Sequence, residues 1–324
     1  MADMRVIVVE GGKGPAEALS AARAPRPEPG PGQIRIAVKA AGVNRPDLLQ
    51  RLGLYPPPPG APTTLGLEVA GLVEAGAGRW REGDAVCALL GGGGYADYAV
   101  CDARHALPLP PGLDFVQAAS LPETIFTVYA NLFESGELKP GQTAMIHGAT
   151  SGIGVTAIQL AKAAGAKVIA TGRGADKAKA ALELGADVAV DATREDFAEA
   201  ARQAGGVDVI LDMVGGDYFD RNLDALKIGG RLSCIAALGG GVVSLPIGRM
   251  MQKRLIITGS TLRPREADEK ARLAAEVERR VWPWIADGRV RPVIDRTFAL
   301  DQAAAAHARL EASEHVGKIV LTMG

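Results

Sequence analysis

The chain has 324 residues, 48% of them hydrophobic and only 4% aromatic, with 36 basic against 37 acidic side chains and a formal net charge of -1. That length allows two domains with cores of their own, the balanced charge without basic runs argues against a nucleic-acid partner, and no apolar run approaches a bilayer span. Cys87, Cys101 and Cys234 stand too far apart in sequence for a disulfide framework or a zinc cluster.

Residues 1–10 alternate as a strand and lack the charged start, long apolar middle and small-residue cleavage site of a signal peptide, so a cytoplasmic protein is expected. Apolar alternation or short apolar runs over 5–9, 33–40, 69–75, 84–89 and 95–100, separated by Gly- and Pro-rich turns, predict a barrel-like β domain. Within it, residues 42–51 predict a short helix, and residues 53–60 a stiff proline loop that holds Tyr55 either against a ligand or at the edge of the core. The proline-rich stretch 108–112 resembles a linker. Residues 114–132 carry a helical pattern, interrupted at Leu121-Pro122, that is expected to bridge two domains.

Beyond Pro140 the texture changes. Strands over 143–147, 167–171, 187–190, 207–213, 230–236 and 255–259 alternate with helices over 152–164, 175–184, 194–204 and 218–226, which predicts a six-stranded doubly wound sheet. Its first turn, Gly148-Ala149-Thr150-Ser151-Gly152-Ile153-Gly154, joins an apolar strand to a helix through small residues that let backbone approach a pyrophosphate. The helix beginning near Gly152 then aims N–H groups and the positive end of its dipole at that anion.

The next strand ends at Gly172-Arg173, where the adenosine ribose is expected. No Asp or Glu lies between Ala166 and Ala175 to bond a ribose 2′-hydroxyl, whereas Arg173 and Lys177 offer cations for a 2′-phosphate. This predicts NADPH over NADH. Two further apolar strands end in glycine loops at Val214-Gly215 and Ala237-Leu238, expected to meet the cofactor through backbone groups.

After Ser260 the pattern gives a long helix over 266–286 broken at Trp282-Pro283, a strand over 293–298, a helix over 301–312 and a strand over 318–321. A doubly wound unit is complete near Gly259, so this tail is expected to return to the first domain. The expected division is 1–125 (first domain), 126–261 (Rossmann domain) and 262–324 (return to the first domain), with substrate in the crevice between domains. The apolar strand 254–259 at the sheet edge predicts a homodimer built through it.

Five stretches together resemble a known family: Ala41-Gly42-Val43-Asn44-Arg45-Pro46-Asp47, Leu54-Tyr55-Pro56-Pro57-Pro58, Leu65-Gly66-Leu67-Glu68-Val69-Ala70-Gly71, Ile146 through Gly154, and Gly317-Lys318-Ile319-Val320-Leu321. Over essentially its full length the chain is similar to the zinc-free NADPH:quinone oxidoreductases of the medium-chain dehydrogenase/reductase superfamily, nearest to the branch that includes the p53-inducible quinone oxidoreductase. The resemblance implies a Rossmann domain plus a discontinuous GroES-like β-barrel domain. It also implies hydride transfer from NADPH to a quinone. In the alcohol dehydrogenase relatives the position matching Asn44 is a metal-binding Cys and that matching Leu67 a metal-binding His, and amide and isobutyl groups cannot replace them on zinc. No metal is expected.

Carried over by position, Asn44, Tyr55 and Thr127 would lie near the nicotinamide. Gly148, Ala149, Thr150, Ser151, Gly152, Ile153 and Gly154 would hold the pyrophosphate, and Gly172, Arg173 and Lys177 the 2′-phosphate. Val214, Gly215, Ala237 and Leu238 would line the ribose and nicotinamide edges. One departure is Ala192, where several relatives place a tyrosine near the adenosine phosphate. Tyr55 carries the one hydroxyl nominated as a proton donor, with simple binding as its alternative role.

The turn at Gly148 also resembles the phosphate loop of short-chain dehydrogenases, but a whole domain precedes it here, and Tyr218, the one later tyrosine, is followed at Tyr-x-x-x-Lys spacing by Asn222. An enoyl or alkenal (2-enoyl thioester) reductase on the same scaffold remains an alternative. So does a non-catalytic NADPH-binding protein. His105, His147, His307 and His315 share no metal spacing and read as surface or packing residues, Glu68 as an anchor or a remnant of the surroundings of the relatives' zinc, and Cys87 and Cys234 as inert core thiols.

Overall fold

The N-terminal strand pattern is realised as an antiparallel ribbon in which β1 (Asp3–Val9) pairs along its whole length with β2 (Leu19–Pro25). The computed structural model describes residues 3–324 and divides into two units, one made of the chain up to Phe126 with Arg263–Asp287 and Pro292–Gly324, the other of Thr127–Leu262 with Gly288–Arg291. In the first unit β3 (Gln33–Val43) leads into α1 (Arg45–Arg51), followed by β4 (Glu68–Ala75), β5 (Ala85–Leu89), β6 (Tyr98–Asp102) and β7 (Ala106–Pro108). Then come α2 (Phe115–Ala118) and α3 (Pro122–Val128), which passes into a wider π-helical turn over Tyr129–Ser135.

The second unit follows the βα alternation. Strands β8 (Thr143–His147), β9 (Lys167–Gly172), β10 (Val188–Asp191), β11 (Val207–Asp212), β12 (Leu226–Cys234) and β13 (Ile256–Gly259) alternate with α4 (Gly152–Ala163), α5 (Ala175–Glu183), α6 (Phe197–Gln203), α7 (Tyr218–Ala225) and α8 (Ile247–Lys253). All are parallel, in the order β10-β9-β8-β11-β12-β13, so the chain reverses direction at β8 and the edges are β10 and β13. Every residue of β8 is buried, as a strand covered on both faces must be. The core between this sheet and its helices includes Met145, Ile169, Phe197, Ile210, Leu223 and Leu232.

The tail returns to the first unit as α9 (Ala267–Arg280), α10 (Trp282–Ala286), β14 (Ile294–Ala299), α11 (Ala303–Glu311) and β15 (Lys318–Thr322). Strand β15 pairs antiparallel with β3 and parallel with β14, giving a seven-stranded sheet in the order β14-β15-β3-β4-β5-β7, with β6 also on β3. Its core joins Ile34, Ile36, Val69 and Val86 to Leu300, Ile319 and Leu321 from the tail.

Three elements depart from the sequence reading. β2 is rich in alanine, with Ser20 and Arg23 interrupting any apolar run, and its order comes from pairing with β1. The supposed linker at 108–112 begins inside a sheet strand, because β7 bonds to β5 up to Pro108, and the chain passes to the other unit only after Phe126. Helix α8 buries none of its residues and so shows no amphipathic stripe to read.

Candidate cofactor and substrate site

The predicted residues fall into two groups, one in each unit. In the second unit, Gly148 takes a left-handed backbone (φ 68°) directly after β8, and Ser151 caps α4 by accepting the Gly154 N–H at 2.9 Å. A methyl at Gly154 would stand 2.2 Å from the Gly148 carbonyl oxygen and 2.6 Å from the Ala149 backbone, so the helix start lies flat on the turn. Bare backbone, with Thr150 and Ile153 beside it, therefore lines the first turn of α4, whose leading N–H groups lack intrahelical partners.

The β9–α5 turn brings Gly172, Arg173 and Lys177 together. A Cβ at Gly172 would lie 2.8 Å from the Cβ of Lys177, so the lysine stem packs back over the strand end, while Arg173 is exposed. Its charge acts on half-buried Tyr218, whose phenol is pushed up by burial and pulled back by Arg221 and Arg173. An acidic residue does serve this turn, from the neighbouring strand. Asp191 accepts the Gly174 N–H at 2.8 Å and the Thr193 N–H and hydroxyl at 3.0 and 2.7 Å, which hold its carboxyl below the usual range. All three bonds fall on Oδ1, which is thus spent on backbone and Thr193.

The loops after β11 and β12 are zipped to each other: the Gly239 N–H donates to Val214 O at 2.7 Å, Leu238 to Met213 O at 3.2 Å and Gly216 to Gly240 O at 3.0 Å. Beneath them runs a buried network that sequence reasoning missed. Asp212 accepts from the N–H groups of Val214 (2.7 Å) and Gly215 (3.1 Å) and from Asn222 Nδ2 (3.0 Å). Asn222 Oδ1 faces His147 Nε2 at 2.7 Å, and His147 Nδ1 faces the Thr171 hydroxyl at 2.9 Å. Since Asn222 donates to Asp212, its oxygen accepts from His147, which is the neutral Nε2–H tautomer accepting from Thr171. Burial pushes the His147 pKa down, consistent with that form. Asn131 has a similar anchoring role, accepting from Ser233 and Ser260 at 2.8 and 2.9 Å and donating to the carbonyl of Thr127 at 2.8 Å, which fixes the helical turn bearing that half-exposed threonine.

In the first unit Asn44 caps α1 with its backbone N–H on Asp47 at 2.8 Å. Its amide is committed inward, donating to Glu68 at 2.8 Å and accepting from the Lys318 ammonium, which also bonds Glu68 at 2.6 Å and Val43 O at 3.3 Å. The second Glu68 oxygen accepts the Glu123 N–H at 2.9 Å. Tyr55 is half-buried, its phenol pushed up by burial against the pull of Arg263. The four histidines are all buried, so none is the surface residue allowed for above. Burial pushes the thiols of Cys101 and Cys234 up to about 12 and about 11, leaving them protonated and unreactive.

Comparison with known proteins accords with this architecture. Residues 30–111 match a family model described as alcohol dehydrogenase GroES-like domain, and residues 184–321 one described as zinc-binding dehydrogenase. A quinone oxidoreductase of Rattus norvegicus is 31% identical over 299 residues, covering 90% of this chain and 89% of that protein. The chain belongs to the quinone oxidoreductases of the medium-chain dehydrogenase/reductase superfamily. Two solved structures of that superfamily superpose with TM-scores of 0.87 at 31% identity, each over 99% of this chain and 100% of the other: a quinone oxidoreductase of Escherichia coli complexed with NADPH, and an NAD-dependent alcohol dehydrogenase.

The zinc named in one family description does not suit this quinone oxidoreductase chain. Where zinc-binding relatives have thiolate and imidazole, it has the Asn44 amide and buried Leu67, and an ammonium, Lys318 Nζ, sits on the Asn44 oxygen. Among the described residues no three His, Cys, Asp or Glu side chains converge as a metal set.

Proposed function

We propose that this protein reduces a quinone by two electrons with NADPH as hydride donor and without a metal. The observation that carries the reading is the β8–α4 turn, where the contact of Gly154 with Gly148 and Ala149 leaves a backbone-lined cradle that fits a pyrophosphate. Arg173 and Lys177 at the β9–α5 turn supply cations for a 2′-phosphate, and the carboxylate that reaches this turn from β10, Asp191, accepts the Gly174 N–H. Bound NADPH supplies a hydride. The protein's own part is to hold the phosphates on the α4 turn, to hold the ribose and nicotinamide edges on the Val214–Gly215 and Ala237–Leu238 backbone, where Asp212 accepts the Val214 and Gly215 N–H groups, and, in the first unit, to present Tyr55 to the acceptor.

Without a Lewis acid, the acceptor must be one whose reduction is favourable and whose product oxygen takes a proton from water. A quinone meets both conditions. Tyr55, with its phenol pushed up, keeps its proton at neutral pH and acts as a hydrogen-bond donor. The test is absorbance loss of NADPH, and separately of NADH, with a small ortho-quinone and with a 2-enoyl thioester. Fast NADPH-dependent loss with quinone is expected. Turnover with the thioester alone would replace quinone by enoyl reduction, and no turnover with either would make the chain a binding protein.

The same reading includes a homodimer through β13. That strand is an uncovered sheet edge, and Val242 (94% exposed), Ile247, Met251 (68%) and Ile256 place apolar surface on and near it. Light scattering should give twice the chain mass, and a monomer would overturn the assignment.

A further inference from the structure

Arg263 opens the return segment of the first unit and is 6% exposed. Its Nε donates to the Gly91 carbonyl at 2.8 Å, which fixes the plane of the guanidinium. Nη1 and Nη2 are buried and meet no hydrogen-bond acceptor among the described residues. Burying a cation without a counter-ion is costly, and Arg51, the other buried arginine described in this unit, avoids it by pairing with Glu311. Arg263 has no such partner. The carboxylate whose field reaches it, Asp47, is committed to the N–H groups of Asn44 and Gly66 at 2.8 and 2.9 Å.

The neighbours of those two nitrogens are equally specific. The guanidinium carbon lies 5.7 Å from the centre of the Tyr55 ring. On another side is the bare backbone of Gly92, where a Cβ would stand 3.3 Å from Nη2 and 2.6 Å from Pro62 O. Two fixed, parallel N–H donors beside an aromatic face and a phenol recognise a planar ring bearing an electron-rich oxygen.

We propose that Arg263 and Tyr55 form the acceptor-oxygen site, in which Nη1 and Nη2 bind the quinone carbonyl and the charge that grows on it. This rests on the quinone-reductase reading and names the group that takes over a metal's electrophilic role. In balance, the hydride brings two electrons and one proton to the quinone, the nicotinamide is oxidised, and the negative charge left on the acceptor oxygen is met by Arg263, which stays protonated. Water then supplies the second proton to give the quinol. Because the guanidinium is buried and pre-oriented, it strengthens its hold as charge develops, the condition for speeding the chemical step.

The probe is 4-nitrophenolate, a ring carrying one oxyanion, titrated by its own absorbance into the full chain with NADP⁺ present. Wild type should bind it. Arg263→Gln should weaken binding about 10- to 100-fold and lower quinone kcat/KM by a similar factor, the scale of one lost charge-assisted hydrogen bond. Arg263→Lys should fall between, and NADPH affinity should stay within about twofold in both. Phenolate binding equal to wild type in Arg263→Gln, or a parallel loss of NADPH affinity, overturns the site. Should Arg263→Gln fail to fold, Arg263→Lys decides, since unchanged phenolate affinity there overturns it too. Failure of wild type to oxidise NADPH with any quinone would instead remove the quinone reading, which the binding titration does not measure.

Discussion

Replacing Lys318 with methionine keeps the buried stem and deletes only the ammonium. In the structure the Lys318 and Glu68 side chains are 4% and 0% exposed and their charged atoms lie 2.6 Å apart, so the variant leaves a carboxylate in the core without its cation. Breaking a buried pair from one side costs about 3–5 kcal/mol. Glu68 would keep the Asn44 amide and the Glu123 N–H as donors, which places the expected loss near the lower end, about 3 kcal/mol. All three tryptophans, Trp80, Trp282 and Trp284, belong to this unit, so their fluorescence follows its unfolding and not that of the Rossmann unit. At a urea dependence of about 2 kcal/mol per molar the midpoint should fall by about 1.5 M. The double variant Lys318→Met with Glu68→Gln, which removes both charges, should recover more than half of that loss. A single-variant midpoint equal to wild type, or a double variant that loses the sum of both singles, would refute a working charge pair.

Further tests concern the cofactor cradle and the titrating core. Gly154→Ala forces the α4 start off Gly148, with about 1–3 kcal/mol of overpacking, and should weaken NADPH binding at least tenfold in a fluorescence titration; unchanged affinity would remove the turn as the pyrophosphate site. Arg173→Ala with Lys177→Ala should cost about 10- to 100-fold in NADPH affinity and leave NADH affinity unaltered, and equal losses for both would move the 2′-phosphate elsewhere. His307, pushed down from 6.5 to about 3 by burial and Arg51, contributes stability that is complete above pH 6.5 and lost as pH falls towards 3, whereas Asp47, pushed up from 3.8 to about 6 by burial, contributes stability that is lost as pH rises from about 4 to 6. Between pH 7 and pH 5 the two nearly cancel in wild type, so His307→Phe, followed by tryptophan fluorescence, should gain about 2 kcal/mol on acidification relative to wild type; parallel pH profiles would refute the neutral buried histidine.

The parts of this molecule that were legible in sequence are those with local periodicity. Six Rossmann strands and four helices announced themselves because a strand buried on both faces is a continuous apolar run, and because the turn after His147 must be built of small residues. β2 and α8 were not legible, since one is held only by cross-strand pairing and the other buries nothing. The site divides the same way. Gly148–Gly154 and Arg173 sit on short-range motifs, whereas Asn222 and Asp212 serve the Val214 loop from two different elements and His147 reaches them through the fold. Lys318 meets Glu68 across 250 positions and Arg263 meets Gly91 across 172, separations at which no local pattern operates. The Asn44 and Leu67 exchanges were readable as the loss of metal ligands, but what replaced the metal's charge was not.

That replacement divides one job between two residues. An ammonium has three donors, and Lys318 directs its own at Glu68, Asn44 and the Val43 carbonyl, so its charge is neutralised inside the unit and none of its hydrogens is left to polarise a substrate. The guanidinium of Arg263 spends one donor on Gly91 and keeps both terminal nitrogens uncommitted. Stability and electrophilic assistance, which a single zinc ion gives together, are therefore separable here. Loss of the Lys318 charge should lower the unfolding midpoint and leave phenolate affinity intact in the folded fraction, while Arg263→Lys should do the reverse. Two variants that moved both properties together would mean that the two cations act as one site.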